Sequence, residues 1–205
     1  RNSDKSLLTS IEASEVDQMA KFGYKTTKTG FSIGTAFEQY EDIFFSPSIT
    51  NYFETLKTSS SASELKKKQK GSYFDSNFRY GLSLNKLNQN FQPSEGYKSS
   101  FTQSLPVFTE DQTIINTFKI AKFYPLKDEM IFSIRFLAKT ANSLADDEDV
   151  RISKRIFLPE SKLRGFGVGK IGPKDSGEFI GGNYASALNF NTTLPKIFSD
   201  FEEMD

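Results

Sequence analysis

Apolar and polar residues alternate along this chain with a period of two. The clearest stretch is 74–84, in which the even positions are mostly aromatic or aliphatic. The odd positions are Asp75, Asn77, Arg79, Gly81 and Ser83. Successive side chains of a β-strand point to opposite faces of a sheet. The stretch therefore predicts a strand with one apolar face and one polar face.

The same alternation predicts eight strands along the chain. They cover residues 8–14, 31–37, 43–53, 74–84, 97–105, 114–124, 130–138 and 184–194. The first is short, and the third contains Pro47, which cannot donate a hydrogen bond to a strand ladder. Two connections are long, at 57–72 and 143–181, and the segments 38–42 and 125–129 are short turns. Long loops at one rim and tight turns at the other are typical of an up-and-down barrel.

The predicted fold class is an all-β, antiparallel up-and-down transmembrane β-barrel. Strands of such a barrel alternate apolar residues toward lipid with polar residues toward the lumen, and small polar residues suit a wet lumen. The alternative is a soluble barrel or sandwich, in which the apolar face fills the interior. Eight strands could close into a barrel. The sequence stops after an unfinished loop and strand, however, which favours part of a larger barrel.

Composition limits the chemistry available to this chain. Its 205 residues include 26 Lys and Arg, 26 Asp and Glu, 21 Phe, 8 Tyr and no Cys, His or Trp. The zero net charge gives no reason to expect a nucleic-acid partner. Without Cys or His there is no disulfide, no thiolate nucleophile and no His-ligated metal. We expect a protein that is not an enzyme, with no catalytic residue, no metal and no cofactor.

The glycine-rich part of the second long loop carries the most informative motifs. Residues 167–172 match the dinucleotide pattern G-x-G-x-x-G, but Pro173 follows and no helix is predicted there to hold a pyrophosphate. The acidic run 146–149 and the basic run 66–70 are interpreted as solvated loop surface. The stretch 163–166 is either a flexible loop with an exposed Arg164, or a loop folded back into a wide lumen where Arg164 pairs with a carboxylate.

Four segments in consistent order carry a family resemblance. Leu163-Arg164-Gly165-Phe166, Ile171-Gly172-Pro173-Lys174 and Gly181-Gly182-Asn183 lie in and after the second long loop. Upstream, Leu84-Asn85-Lys86-Leu87 precedes Phe91-Gln92-Pro93-Ser94-Glu95-Gly96, with Gln92 as an extra residue. Together they resemble the barrel domain of the BamA family, the outer-membrane β-barrel assembly factors of the bacterial surface antigen superfamily.

The resemblance implies a sixteen-stranded barrel preceded by periplasmic POTRA repeats, with this chain as the central part of the barrel. On that basis, residues 1–205 are a partial barrel domain with extracellular loops at 57–72 and 143–181, and the POTRA domains and closing strands lie outside it. The motif Leu163, Arg164, Gly165 and Phe166 is then a lumen loop, with Arg164 paired to an acid beyond Asp205. Ile171, Gly172, Pro173, Gly181 and Gly182 support that loop.

The resemblance also implies a function without covalent chemistry. The protein would fold and insert β-barrel proteins into the bacterial cell outer membrane, with unfolded barrel clients, accessory lipoproteins and outer-membrane lipids as partners. Three alternatives stay open: a two-partner secretion or TamA-like translocator of the same superfamily, a passive porin, and a soluble binding barrel.

Overall fold

The computed structural model describes residues 5–19, 23–127, 130–146, 148–167 and 169–193. Eight long strands form one antiparallel sheet. They are β1 Ser6–Gln18, β2 Tyr24–Tyr40, β3 Ile43–Thr58, β4 Gly71–Leu87, β5 Gly96–Thr109, β6 Thr113–Pro125, β7 Ile131–Ser143 and β10 Tyr184–Thr193. A short helix, α1, covers Glu64–Lys68, and a small hairpin pairs β8 Lys174–Asp175 with β9 Glu178–Phe179. Of the helices in this described part, none is long and apolar enough to cross a membrane.

Each strand pairs with its sequence neighbour, in the order β1-β2-β3-β4-β5-β6-β7-β10. The connections after β2, β4 and β6 therefore share one end of the sheet, called here the turn end. The connections after β1, β3, β5 and β7 share the other, the loop end, which carries the segments 59–70 and 144–183. This antiparallel meander confirms the predicted fold class. The sheet is open as far as it is described, with β1 and β10 at its edges.

Two prolines are accommodated by local irregularities of the ladders. Pro47 lies in β3, and the β2–β3 register skips the positions opposite Ser46 and Pro47, where a proline has no N–H to donate. The predicted strand 97–105 ends before Pro106, but β5 continues to Thr109. A register shift places Pro106 opposite Asn77 and Phe108 opposite Ser76, so the strand passes the proline through a bulge at Val107. Leu194, predicted as the last strand residue, lies outside the described residues.

The strand register separates the side chains into two faces. Residues opposite each other in a ladder point to the same side. Phe78 of β4 therefore shares a face with its partner Leu105 of β5, and Phe45 of β3 lies on that same face. This outer face holds most of the exposed large apolar side chains. They include Ile11, Phe31, Ile33, Ile49, Phe53, Phe74, Leu82, Phe118, Ile120, Leu188 and Phe190. The opposite, inner face carries Asp75, Asn77, Arg79, Gly81 and Ser83 of β4. A soluble barrel has the reverse arrangement.

Aromatic side chains concentrate near both ends of the outer face. Near the loop end, the rings of Phe53 and Phe74 lie 4.9 Å apart. Near the turn end, Phe132 stacks on Phe190 at 6.3 Å and lies 6.4 Å from Tyr124. Two aromatic belts with an apolar band between them are the surface that matches a bilayer and its two interfaces.

One polar row crosses the outer face. The hydroxyl of Tyr80 donates to Gln103 Oε1 over 2.8 Å, and Gln103 Nε2 donates to Asn116 Oδ1 over 2.6 Å. Asn116 Nδ2 then donates to Thr140 Oγ1 over 3.0 Å. A polar group in hydrocarbon is costly unless it is hydrogen-bonded. The row therefore satisfies its own groups across β4, β5, β6 and β7 without water.

A pair of lysine substitutions tests which face contacts lipid. Phe101→Lys places a charge on the outer face in mid-β5, and we expect it to cost about 2–4 kcal/mol of unfolding free energy in lipid vesicles. Thr102→Lys places the same charge one residue later on the inner face, where water can solvate it, and its cost is expected to be well under half as large. Urea titration of the intact barrel gives both values. Equal losses for the two variants would contradict the assignment of the faces.

Candidate functional site

The segment 144–183 folds back against the inner face of the sheet. Its buried side chains Val150, Ile152 and Ile156 are 1%, 0% and 9% exposed. Ile152 packs in a cluster with Tyr24 of β2 and Leu56 of β3. Val150 and Ile156 pack with Ala141 of β7. Because these contacts come from strands far apart in the sheet, the segment spans the loop end of the inner face and does not extend into solvent.

Arg151 is the ionic centre of this contact. Its side chain is 3% exposed, and Nη2 lies 3.1 Å from Glu54 Oε2 of β3. The same guanidinium forms an ion pair with Asp75 of β4, and its Nε lies 3.5 Å from Asp111 Oδ2. The guanidinium carbon also lies 4.2 Å from the ring centre of Tyr73. One arginine thus joins the long loop to two strands and to the β5–β6 connection.

Lys154 reinforces the same set of carboxylates. Its Nζ lies 2.8 Å from Asp75 Oδ1 and 3.2 Å from Asp111 Oδ2. Thr109 Oγ1 donates to Asp75 Oδ1 over 2.6 Å. On the far side, Lys28 Nζ of β2 lies 3.6 Å from Glu54 Oε1. The six charged residues Lys28, Glu54, Asp75, Asp111, Arg151 and Lys154 are called here the ion-pair cluster.

The ion-pair cluster is balanced, with three carboxylates against three cations. Burial alone would lower the pKa of Arg151, but Glu54, Asp75 and Asp111 outweigh it and raise that pKa above its usual value. Removing one member of such a buried set leaves an uncompensated charge, which costs more than the pair itself contributes. The cluster therefore fixes where the first part of the long loop lies on the sheet.

The two long loops also bind each other. Lys66 of α1 is fully buried, and its Nζ lies 2.6 Å from Glu178 Oε2 of β9. Gln69 Oε1 accepts a 2.7 Å hydrogen bond from the backbone N–H of Ile152. The interpretation of the run 66–70 as solvated surface is therefore wrong for Lys66, which is buried because a carboxylate from the other loop covers it. Asp149 of the acidic run likewise forms an ion pair with Arg155.

The predicted lumen motif lies deeper on the same face. The carbonyl of Lys162 accepts a 2.9 Å hydrogen bond from Asn189 Nδ2, an inner-face residue of β10. Leu163 is half-buried, while Arg164, Gly165 and Phe166 are exposed. Gly165 has a φ of +88°, a conformation that residues with a Cβ rarely adopt. Arg164 lines a cavity of about 310 Å³ on the inner face and makes no ion pair with any described residue. Its acidic partner stays a prediction.

The structure brings most of the predicted supporting residues together. A cavity of about 160 Å³ is lined by Leu163, Phe166, Ile171, Gly172, Pro173 and Gly182. Gly182 pairs with Ile156 through two backbone hydrogen bonds of 2.8 and 3.0 Å. Gly181 has a φ of +71°, and a Cβ there would lie 2.9 Å from the ring of Phe157. Gly181 and Gly182 let the backbone turn back and lie close to Ile156 and Phe157 of the same loop. Their roles in function stay predictions.

Sequence reasoning missed the ion-pair cluster. The sequence predicts Asp75 on the polar face of its strand. That position was the one indication of the cluster, because a carboxylate that faces a lumen is stabilised by a nearby cation. Arg151 and Lys154 lie three residues apart in a segment without periodicity. Nothing in their local sequence indicates that both meet Asp75, which lies 76 positions before Arg151 and 79 positions before Lys154.

Comparison with known proteins gives two matches and one negative result. The model of the Omp85 superfamily domain matches residues 1–203. The crystal structure of BamA from Haemophilus ducreyi lacking POTRA domains 1–3 superimposes with a TM-score of 0.85 at 18% identity. The superposition covers 97% of this chain and 44% of that chain, so this chain spans less than half of its length. No curated protein matches. The structural match confirms the barrel fold predicted from the alternation.

Proposed function

Because this chain belongs to the Omp85 superfamily, an outer-membrane family of protein insertion and translocation factors, we propose that it is part of an assembly factor. The whole protein folds and inserts β-barrel proteins into the bacterial outer membrane. The observation that carries this proposal is the long loop 144–183, which is held on the inner face by the ion-pair cluster. A lumen occupied by such a loop differs from the open water-filled channel of a passive porin.

The proposed activity uses the energetics of strand pairing and needs no bond chemistry. An unpaired strand edge in lipid leaves N–H and C=O groups without partners, each at a cost of several kcal/mol. A barrel with a weak seam can therefore pair with an incoming strand and template its folding. A short or mismatched hydrophobic band at that seam thins the bilayer locally. In this proposal the strands β1 to β7 and β10 form the stable wall, and the seam lies in strands outside the chain.

The proposed partners follow from the same activity. Unfolded outer-membrane barrel proteins are the substrates, and outer-membrane lipids surround the apolar band of the outer face. Accessory lipoproteins of an assembly complex are proposed on the resemblance to the BamA family. Within the superfamily, a translocator that exports a soluble substrate is the competing proposal, and the experiment below separates the two by asking whether a membrane barrel is the product.

Reconstitution of the intact protein tests the proposal. Vesicles containing it are expected to fold a urea-denatured outer-membrane barrel protein into a heat-resistant, protease-protected form faster than empty vesicles. Arg164→Ala removes the charge of the lumen motif, and we expect the folding rate to fall by about tenfold or more, because a partner carboxylate is left unpaired. Lys170→Ala is the matched control, since it removes an exposed cation from the same loop and is expected to have no effect.

Two outcomes would contradict parts of the proposal. Equal client folding in vesicles with and without the protein excludes the assembly function. If the Arg164→Ala variant and the unsubstituted protein accelerate client folding equally, the assembly function is supported and the predicted role of Arg164 is contradicted.

A further inference from the structure

A cavity of about 580 Å³ on the inner face, toward the turn end of the sheet, carries positive charge without a counter-charge. Four cationic side chains line it, from three strands and the long loop: Lys98, Lys119, Arg135 and Lys162. No Asp or Glu is among the residues that line it. None of the four forms an ion pair with another described residue, in contrast to the cations of the ion-pair cluster at the loop end.

The strand register explains why these cations meet. Lys98 of β5 lies opposite Ala121 of β6, and Ala121 lies opposite Arg135 of β7. Lys119 is the next inner-face residue of β6, two positions before Ala121. Lys98 and Arg135 therefore sit two strands apart in one row, a separation of roughly 10 Å. Lys162 joins them because its carbonyl is held by Asn189, the next residue of that row.

The cavity is also accessible and partly apolar. Lys98, Lys119 and Arg135 are exposed, so their charges are available to a ligand. Arg135 lies with its guanidinium carbon 5.6 Å from the ring centre of Phe123, and Leu137 adds aliphatic surface to the lining. Like charges within a half-enclosed space focus a positive potential into it. Such a surface suits a ligand that brings several carboxylates together with apolar groups.

We propose that this basic cavity binds an acidic segment of an unfolded polypeptide that enters the barrel from the turn end. The proposal rests on the proposed function: the loop end is the expected extracellular side, so an unfolded barrel protein that arrives from the periplasm reaches the turn end first. A small inorganic anion would neutralise one or two of the cations, whereas an extended chain with carboxylates several residues apart spans the roughly 10 Å between Lys98 and Arg135. The apolar lining then contacts the side chains between the carboxylates.

The test uses the intact barrel in detergent micelles and two labelled peptides. One peptide has Asp and Glu interspersed with Leu and Phe, and the other has Asn and Gln in place of each acid. We expect the acidic peptide to bind in a salt-sensitive manner and the neutral peptide to bind at least about tenfold more weakly. The triple variant Lys98→Gln, Lys119→Gln, Arg135→Gln is expected to weaken acidic-peptide binding by about tenfold or more.

A matched control has the same change in charge at the opposite end. Lys57→Gln, Lys68→Gln, Lys70→Gln removes three exposed lysines near or in the 59–70 loop, and we expect unchanged peptide binding. Competition with inorganic phosphate distinguishes a small-anion site, because complete displacement by millimolar phosphate would overturn the polypeptide assignment.

The remaining outcome concerns strands outside this chain. If their carboxylates pair with the four cations, the Lys98, Lys119 and Arg135 triple variant lowers the unfolding temperature of the empty barrel and leaves peptide binding unchanged, which also overturns the proposal. The client-folding assay is run on the same preparations. If the protein binds the acidic peptide but does not fold clients, the proposed function is refuted. If it folds clients but does not bind the peptide, only this inference is refuted.

Discussion

Arg151→Met is expected to destabilise the intact barrel by about 3–5 kcal/mol. The substitution keeps an unbranched apolar stem, removes the guanidinium and leaves Glu54 and Asp75, both fully buried at the side chain, without their main cation. Lys154 still pairs with Asp75 and Asp111, whereas Glu54 keeps only the longer 3.6 Å contact with Lys28, so Glu54 carries most of the uncompensated charge. The free energy of unfolding is measured by urea titration in micelles. Release of the loop is measured by chymotrypsin cleavage in 144–183 of the folded barrel.

Two companion variants separate the buried charge from other effects of the substitution. Adding Glu54→Gln to Arg151→Met removes the stranded carboxylate and leaves two cations against two carboxylates, with Lys154 still paired to Asp75 and Asp111, and we expect it to recover much of the lost stability. Lys67→Met breaks an exposed ion pair with Glu64, whose side chains are 39% and 77% accessible, and its cost is expected to be below about 0.5 kcal/mol. If Arg151→Met costs no more than Lys67→Met, the ion-pair cluster does not hold the loop.

Gly96→Ala is expected to have the second large effect, at the connection between β4 and β5. Gly96 has a φ of +97°, and a Cβ there would lie 2.0 Å from the carbonyl oxygen of Lys86. Backbone strain and the clash with a backbone atom each cost about 1–3 kcal/mol, so we expect a loss of about 2–6 kcal/mol in urea unfolding. The turn cannot relax easily, because Asn88 Oδ1 accepts hydrogen bonds from the N–H groups of both Ser94 and Glu95.

Gly177→Ala is the matched control for this substitution. Gly177 also has a positive φ, of +83°, but a Cβ there would have no atom within 4 Å. Its cost is therefore the conformational strain alone, about 1–2 kcal/mol, and it is confined to the β8–β9 hairpin. Equal losses for Gly96→Ala and Gly177→Ala would show that the contact with Lys86 does not matter.

The strands could be predicted because their signal is local. Period-two alternation places side chains on two faces whatever the rest of the chain does, and in 74–84 it gave the position and both faces of β4. The bulge at Val107 could not be predicted in the same way, since Pro106 is compatible with a strand end as well as with a bulged strand. The choice depends on whether β4 offers partners beyond Asn77, which is a property of the pair of strands.

The site was predictable only where it has its own motif. Leu163 to Phe166 and the glycines at 172, 181 and 182 are recognisable as a series in sequence, and the structure brings several of them around one cavity. Lys66 shows the limit of this approach. Its neighbours Lys67 and Lys68 are exposed, and local sequence does not indicate that Glu178, 112 positions away, covers Lys66 alone.

The sequence by itself determined the strands, their two faces, the long loops and the family resemblance, because each is written in residues close together in the chain. Only the tertiary structure decided which charges are neutralised. Arg151 and Lys154 find carboxylates on β3, β4 and the β5–β6 connection, whereas Lys98, Lys119 and Arg135 face one another without an acid. Charge pairing depends on distance in space, and the fold of the sheet together with the 144–183 loop sets which distant residues come within a few ångströms.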